Sequence, residues 1–370
     1  MAVRQCAMEN LEVNSGFWAS KRVLVTGHTG FKGSWLSLWL QSLGAEVAGF
    51  ALPPPTSPSL FVEARVETGM AHILGDVRDL EKLQAVISGF KPEIIFHLAA
   101  QPLVRHSYAD PVETYSTNVM GTVNLLESVR HCQGVRAVVN VTSDKCYSNK
   151  EWARGYRESD AMGGYDPYSS SKGCAELVSA AYTASFFNRT DYQRHGVAVA
   201  SARAGNVMGG GDWAKDRLIP DIIQSFASAK ALNIRNPKAI RPWQHVLEPL
   251  RGYIRLAEQL HQQGPEYAEA WNFGPADADT QTVQWIVETM ANLWREPVSW
   301  GVDNSDQPHE AQLLKLDVSK AARRLQWHPA MDLDTALQYT IQWYEDWING
   351  ADMHAATLGQ IKSYQRLIIH

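Results

Sequence analysis

The chain has 370 residues, 45% of them hydrophobic, enough to bury a large core and a second, smaller lobe, which excludes a disordered chain. A formal net charge of -5 excludes a general nucleic-acid binder and an anionic-membrane binder, since both need a basic surface. Four cysteines (Cys6, Cys132, Cys146 and Cys174), with neither paired spacing nor a histidine cluster, read as reduced thiols and predict no disulfide framework and no metal site. The first twenty residues carry Arg4, Glu9 and Glu12 and lack the apolar stretch of a secretory signal, and no run reaches bilayer-spanning length. The expectation is a cytoplasmic protein with a small soluble substrate.

From about Lys21, short β-branched runs alternate with helical patterns, the mark of βαβ units. Predicted strands are Arg22 to Thr26, Ala45 to Phe50, His72 to Leu74, Glu93 to Leu98, Arg136 to Thr142 and Val197 to Arg203. Helical stretches near 31 to 43, 79 to 89, 111 to 132 and 168 to 188 separate them, so the fold class is α/β with a doubly wound, parallel Rossmann-type sheet. Beyond Gly205 the texture changes: Gly209-Gly210-Gly211 and scattered prolines interrupt the pattern. A helix near 246 to 262 and a strand at Ala270 to Gly274 rejoin the sheet, and an amphipathic helix runs from Leu333 to Trp347. The expected organisation is a dinucleotide-binding domain of residues 20–205 rejoined by 246–274. Residues 206–245 and 275–370 then form a smaller, mixed substrate-binding lobe.

Directly after the first strand stands Gly27-His28-Thr29-Gly30-Phe31-Lys32-Gly33. Glycines three apart permit a tight turn and close approach of a pyrophosphate to backbone N–H groups, with the next helix aiming its positive end at the phosphates. Such a turn also serves packing alone, and its place at the first βα junction favours the dinucleotide. Asp76 sits just past the third strand, where an acid either accepts from an adenine amino group or caps the next helix. The acid that would bind a ribose 2′-hydroxyl at the end of the second strand is replaced by Phe50-Ala51-Leu52-Pro53, so NAD and NADP both stay open. Lys32 reads equally as a phosphate partner or a solvated helix-face residue.

Tyr168 and Lys172 are four apart, on one helix face, so the ammonium can lie near the phenol. A tyrosine titrates near pH ~10 unless perturbed, and neighbouring positive charge favours the phenolate that general base work requires. At the carboxyl end of the fifth strand comes Thr142-Ser143-Asp144-Lys145, the place where open α/β sheets bind ligands. Ser143 there can hydrogen-bond a substrate hydroxyl, and both Ser143 and Asp144 can equally serve as turn caps. Cys146 reads as packing.

Gly27-x-x-Gly30-x-x-Gly33, Ser143 and Tyr168-x-x-x-Lys172 together resemble the extended short-chain dehydrogenase/reductase family, over nearly the whole chain. Thr142-Ser143-Asp144-Lys145 is similar to the signature of its nucleotide-sugar 4,6-dehydratases, most of which carry glutamate where this chain has Lys145. With Gly210-Gly211-Asp212-Trp213, that departure implies CDP-glucose as substrate, and a role in deoxysugar and lipopolysaccharide O-antigen synthesis. The resemblance implies that Tyr168, assisted by Ser143 and Lys172, deprotonates the sugar 4-hydroxyl while C4 gives its hydride to NAD. Lys145 then acts as base on C5, and Asp144 as acid on the departing 6-hydroxyl. A cationic neighbourhood favours a neutral Lys145 and works against a protonated Asp144. Cofactor contacts are implied at Gly27, Thr29, Gly30, Phe31, Lys32, Gly33, Asp76, Val77, Leu98, Ala99, Ala100, Asn118, Tyr168 and Lys172. Substrate contacts are implied at Asn206, Arg217, Arg241 and His309, with the arginines on the diphosphate. Trp213 would either stack on a pyrimidine or serve the core. A homo-oligomer, first of all a dimer, is expected through helices 111 to 132 and 168 to 188. A 4-epimerase or simple dehydrogenase would need Tyr168 and Lys172 but not the Asp144 and Lys145 pair. A dinucleotide sensor would need neither.

Overall fold

The structure, a computed structural model, describes residues 13–294, 299–302 and 313–369. Among them the strands are β1 (Arg22–Thr26), β2 (Glu46–Ala51), β3 (Ala71–Leu74), β4 (Ile94–His97), β5 (Ala137–Val141) and β6 (Ala198–Ala204). They continue with β7 (Asn206–Met208), β8 (Leu232–Ile234), β9 (Ile240–His245), β10 (Ala270–Phe273), β11 (Thr280–Thr282) and β12 (Trp300–Val302). The helices of ten residues or more are α1 (Phe31–Ser42), α2 (Leu80–Phe90), α3 (Gly121–His131), α4 (Pro167–Ser185), α5 (Leu218–Ala227), α6 (Leu247–Gln263), α7 (Val283–Leu293), α8 (Leu333–Ile348) and α9 (Met353–Ile369).

Seven strands make one sheet in the order β10-β6-β5-β4-β1-β2-β3, and every neighbouring pair is parallel. The chain winds outward from β1 to β3, then returns to β4 on the other side of β1. That reversal opens a crevice at the strand carboxyl ends between β1 and β4. Alternate side chains feed two cores, as a strand's period of two demands. Leu24, Ile95, Val138 and Val199 face α2 and α3, while Val23, Ile94, Phe96 and Val139 face α1 and α6. α1 is buried around most of its girth, from Gly33 to Leu40, because the sheet, α6 and α9 all pack on it. Its apolar residues therefore form no single stripe.

The predicted strands and helices of the main sheet stand within one to three residues of the observed ones. Two features depart from the sequence pattern. The helix proposed for 111 to 132 contains a π turn at Ser116–Met120, which the 3.6 period does not announce. The chain also makes a further helix, α9, after the one expected to end near Trp347. Gly350, at φ +73°, breaks α8 off, and the buried stripe of α9 (Met353, Thr357, Ile361, Tyr364) is interrupted by a threonine.

The second layer of structure over the strand ends is mixed. β9 pairs antiparallel with β11 and parallel with β7, and β8 pairs parallel with β12. α5 covers it with Ile219, Ile222, Ile223 and Phe226, all buried. Three-residue strands such as β7, β8 and β11 are too short to show a period of two, which is why the sequence pattern there reads only as irregular.

Candidate active site

The glycine turn is built by close approach. A Cβ at Gly27, which has φ +77°, would stand 2.7 Å from the Ala99 nitrogen, and one at Gly33 would stand 2.1 Å from the Gly27 carbonyl oxygen. Both positions exclude side chains for reasons of packing alone. Gly30 differs: a Cβ there would meet only the Gly27 carbonyl oxygen, at an ordinary contact distance of 3.4 Å. Gly30 is also the N-cap of α1 and supplies no side-chain cap, which leaves first-turn amides available to an external anion. Those two observations fit a dinucleotide pyrophosphate at this turn.

Around it, the other implied cofactor positions fall into two groups. Leu98, Ala99 and Ala100 follow β4 at the crevice, half-buried, within reach of the turn. Thr29, Asp76, Val77 and Asn118 are engaged inside the protein. Thr29 donates its hydroxyl to the Leu52 carbonyl at 2.8 Å, tying the turn to the end of β2. Asp76 is clasped by Arg78 at 2.6 to 3.0 Å, and that hydrogen bond holds its carboxyl below the ordinary range. Val77 packs on Gly121. Asn118, within the π turn, accepts from the Gln101 N–H at 2.8 Å and donates to the Gln101 carbonyl and the Ser171 hydroxyl, bracing the β4 loop against α4.

The proposed proton-transfer groups converge. β5 delivers Thr142 and Ser143 to the sheet's carboxyl edge, where Ser143 caps a short 3₁₀ turn of Asp144–Cys146. α4 starts at Pro167, with Asp166 as its N-cap, accepting from the Ser169 N–H at 2.9 Å. That start sets Tyr168 in the first turn, facing Ser143. Ser143, Asp144, Tyr168 and Lys172 are all buried, and Lys145 is half-buried. The Ser143 hydroxyl donates to Asp144 Oδ1 at 3.0 Å, and the Lys145 N–H donates to Ser143 Oγ at 3.2 Å.

Burial dominates the electrostatics. It pushes the Tyr168 phenol up to about 12, with the Ser143 hydrogen bond pulling the other way, so the phenol lowered by a neighbouring ammonium, as the spacing predicts, is not what the structure shows. It draws Lys172 down to about 8, with Glu176 opposing, and the Lys172 ammonium donates to the Val141 carbonyl at 3.3 Å. Burial also raises the Asp144 carboxyl above its usual range, although Lys145, Ser143 and Lys32 pull it down. A buried carboxyl outweighing its cationic neighbours is what the sequence could not show.

Lys32 does not sit on a solvated helix face. It is half-buried, drawn down to about 8 by burial and by Arg217, with Asp144 and Lys172 among its other neighbours. Arg217 is the N-cap residue of α5, donates to Asp212 Oδ2 at 2.9 Å and lies close enough to Tyr168 for their charges to interact. Asn206 opens β7, in register with Trp243 of β9, and Arg241 lies two residues before Trp243. Gly205 joins them to the site, because a Cβ there would lie 3.0 Å from Asp144 Oδ2 and 3.6 Å from the Pro242 ring. His309 lies outside the described residues. Trp213 is half-buried and packs edge-on against Trp343, Tyr344 and Trp347 of α8 at 5.2 to 5.8 Å, which gives it a part in the core. Cys146 is fully buried and its thiol is pushed well up by burial, as packing demands.

Sequence reasoning missed one buried ion pair. Glu176, one turn beyond Lys172, accepts from Thr142 at 2.5 Å, Ser201 at 2.6 Å and Arg203 at 2.8 and 2.9 Å. Arg203 also donates to the Tyr147 hydroxyl at 2.6 Å. Glu176 thereby clamps α4 to both the Thr142 and β6 segments. A signal existed, since Glu176 and Arg203 are charges on elements otherwise read as buried.

A glycine turn, a Ser143–Tyr168–Lys172 set and a buried acid at the carboxyl edge of one parallel sheet define a sugar-nucleotide dehydratase or epimerase scaffold. The chain belongs to the family described as GDP-mannose 4,6 dehydratase, whose model matches residues 24–340. It is 58% identical to the CDP-glucose 4,6-dehydratase of Salmonella typhimurium (strain LT2), over 95% of this chain and 98% of that protein. Among solved structures, dTDP-glucose 4,6-dehydratase of Bacillus anthracis in complex with NAD superposes with a TM-score of 0.71. That match has 23% identity and covers 90% of this chain and all of that one. The UDP-glucose 4-epimerase of Stenotrophomonas maltophila, with bound NAD, superposes with a TM-score of 0.77 at 20% identity, over 90% and 100% of the two chains.

Proposed function

We propose that the protein is a hydro-lyase converting CDP-D-glucose to CDP-4-dehydro-6-deoxy-D-glucose and water, with NAD as its cofactor. Identity of 58% to a CDP-glucose 4,6-dehydratase along nearly the whole chain supports the substrate. NAD in solved relatives of the same fold supports the cofactor. The Gly27–Gly33 turn would hold NAD, which would supply the hydride chemistry, uptake from C4 of the sugar and return to C6. Tyr168 takes the proton of the 4-hydroxyl, with the Ser143 hydroxyl sharing the hydrogen bond and Lys172 supplying positive charge behind it. The 4-ketone acidifies C5. Lys145 removes the C5 proton, Asp144 protonates the departing 6-hydroxyl so that water leaves, and C5 takes its proton back from Lys145 as the hydride returns to C6.

The observation that carries the lyase over a 4-epimerase is the Asp144 carboxyl, buried beside Ser143 and raised by that burial. A carboxyl whose burial opposes ionisation is suited to give a proton to a leaving hydroxyl, and a simple epimerase needs no such group. Incubation with CDP-glucose and catalytic NAD should yield a sugar nucleotide lighter by one water, with no net NADH. A product of unchanged mass and inverted C4 would refute the lyase.

We also propose a homodimer formed through the Pro111–His131 helical run and α4, which pack on each other. Val112 (77% exposed) and Leu177 (60%) are large apolar side chains left in solvent on these helices, along with Tyr115 and Met120. Light scattering should give twice the chain mass, and Leu177→Arg should give the monomer. A wild-type monomer refutes the arrangement.

A further inference from the structure

We infer that Arg235 and Asp221 read the nucleobase, and that together they select cytosine over uracil and thymine. This rests on the nucleotide-sugar reading above and extends it to a part of the substrate for which the sequence offers no code.

Arg217 and Asp221 stand one turn apart at the start of α5, the Asp221 N–H donating to the Arg217 carbonyl at 3.0 Å. Arg217 turns toward Tyr168 and Asp212. A diphosphate held at Arg217 therefore has its sugar on the Tyr168 side and its nucleoside on the side of Asp221. There, Arg235 leaves the end of β8 and meets two carboxylates, Asp221 at 3.9 Å from one guanidinium nitrogen and Asp216 at 3.7 Å from the other. Arg105, on the short helix Val104–Ala109 that follows β4, reaches the same Asp216 at 3.5 Å.

Two properties suit this set to a ligand. The Arg235 separations of 3.7 and 3.9 Å exceed the ~2.7 to 2.9 Å of a closed charge-assisted hydrogen bond, so Arg235 and these carboxylates attract one another without closing a hydrogen bond. Arg235 and Asp221 are also part-buried, with side-chain exposure of 27% and 35%, so a base edge laid against the two would be partly desolvated. Burial raises Asp221 to about 6, with Arg235 pulling it down, which leaves it mostly ionised at neutral pH and an acceptor.

The edge of cytosine presents two acceptors, O2 and N3, followed by the 4-amino donor. A guanidinium fork can donate to the two acceptors while a carboxylate accepts from the amino group. Uracil and thymine put a carbonyl oxygen where cytosine has that amino group, so a carboxylate would face an acceptor. They also carry a donor N–H at N3, which a guanidinium cannot accept. Sites built on such pairing reject a mismatched analogue strongly, because a buried charge is left without its partner.

The test compares kcat/KM for CDP-glucose, UDP-glucose and dTDP-glucose in the full-length protein with NAD. Wild type should prefer CDP-glucose. Asp221→Asn, whose amide can turn its NH₂ toward a base carbonyl, should lower the CDP-to-UDP ratio at least about tenfold. Arg235→Lys, which keeps the charge and loses the fork, should lower it as well. Where a variant is too unstable for turnover, competitive binding of CDP against UDP reads the same ratio. If wild type turns over no CDP-sugar, the nucleotide-sugar reading has failed first. If wild type prefers CDP-glucose and both variants lose all three substrates in equal proportion, the two residues only shape α5 and β8, and the inference is overturned.

Discussion

Replacing Glu176 by glutamine removes the carboxylate hydrogen-bonded to Arg203 and leaves nearly the same shape. Arg203 is 3% exposed and Glu176 is 5% exposed, so the guanidinium would stay buried with a neutral amide in front of it. Breaking a buried pair from one side costs about 3 kcal/mol or more. With an unfolding entropy of ~2 cal/mol/K per residue, that corresponds to a fall in Tm of roughly 4 °C for a chain of this length. The pH dependence has a definite sign. Burial pushes the Glu176 carboxyl up, yet Arg203, Ser201 and Thr142 hold it below its ordinary value of 4.5. Its contribution is therefore present above about that value and is lost as the pH falls through the lower, folded one. Thermal unfolding of wild type and Glu176→Gln should differ at pH 7, and the difference should close in acid. Glu176 also supports the charge on Lys172. The variant's rate should consequently begin its alkaline decline at a lower pH than wild type. A variant as stable as wild type at pH 7, with an unmoved alkaline limb, would refute both parts of the reasoning.

Lys145→Ala should still transfer the first hydride, seen as a transient of NADH, while losing dehydration by about a hundredfold or more; normal water loss would remove Lys145 as the base. Gly33→Ala should lose most affinity for NAD and some stability, because its Cβ would lie 2.1 Å from the Gly27 oxygen; calorimetric titration and thermal unfolding check both. Trp213→Ala should cost about 3 to 5 kcal/mol of stability by opening a cavity against α8. Its KM for the nucleotide sugar should change little if the indole serves only the core.

Much of the site was legible because the chemistry is carried by short-range spacing. Tyr168 and Lys172 share a helix face by arithmetic, and Ser143 follows a strand whose apolar run marks its end. Lys32 could not be placed that way. One residue into a helix, it is solvated or enclosed according to what lies above, and Asp144 and Arg217, distant in sequence, enclose it. The same holds for Trp213, whose neighbours on α8 come more than a hundred residues later. Asp144 is the sharpest case. Its charged neighbours in sequence argue for ionisation, and only burial, which is a property of the whole fold, outweighs them.

The sequence by itself determined the alternating strands and helices, the glycine turn and the helix face shared by Tyr168 and Lys172, since periodicity and fixed spacing act over a few residues. The tertiary structure decided which charges meet, which of them burial opposes, and that Glu176 and Arg203 hold α4 to the Thr142 and β6 segments. Those outcomes depend on distance through space and on removal from water, and neither quantity is written in the order of residues along a chain.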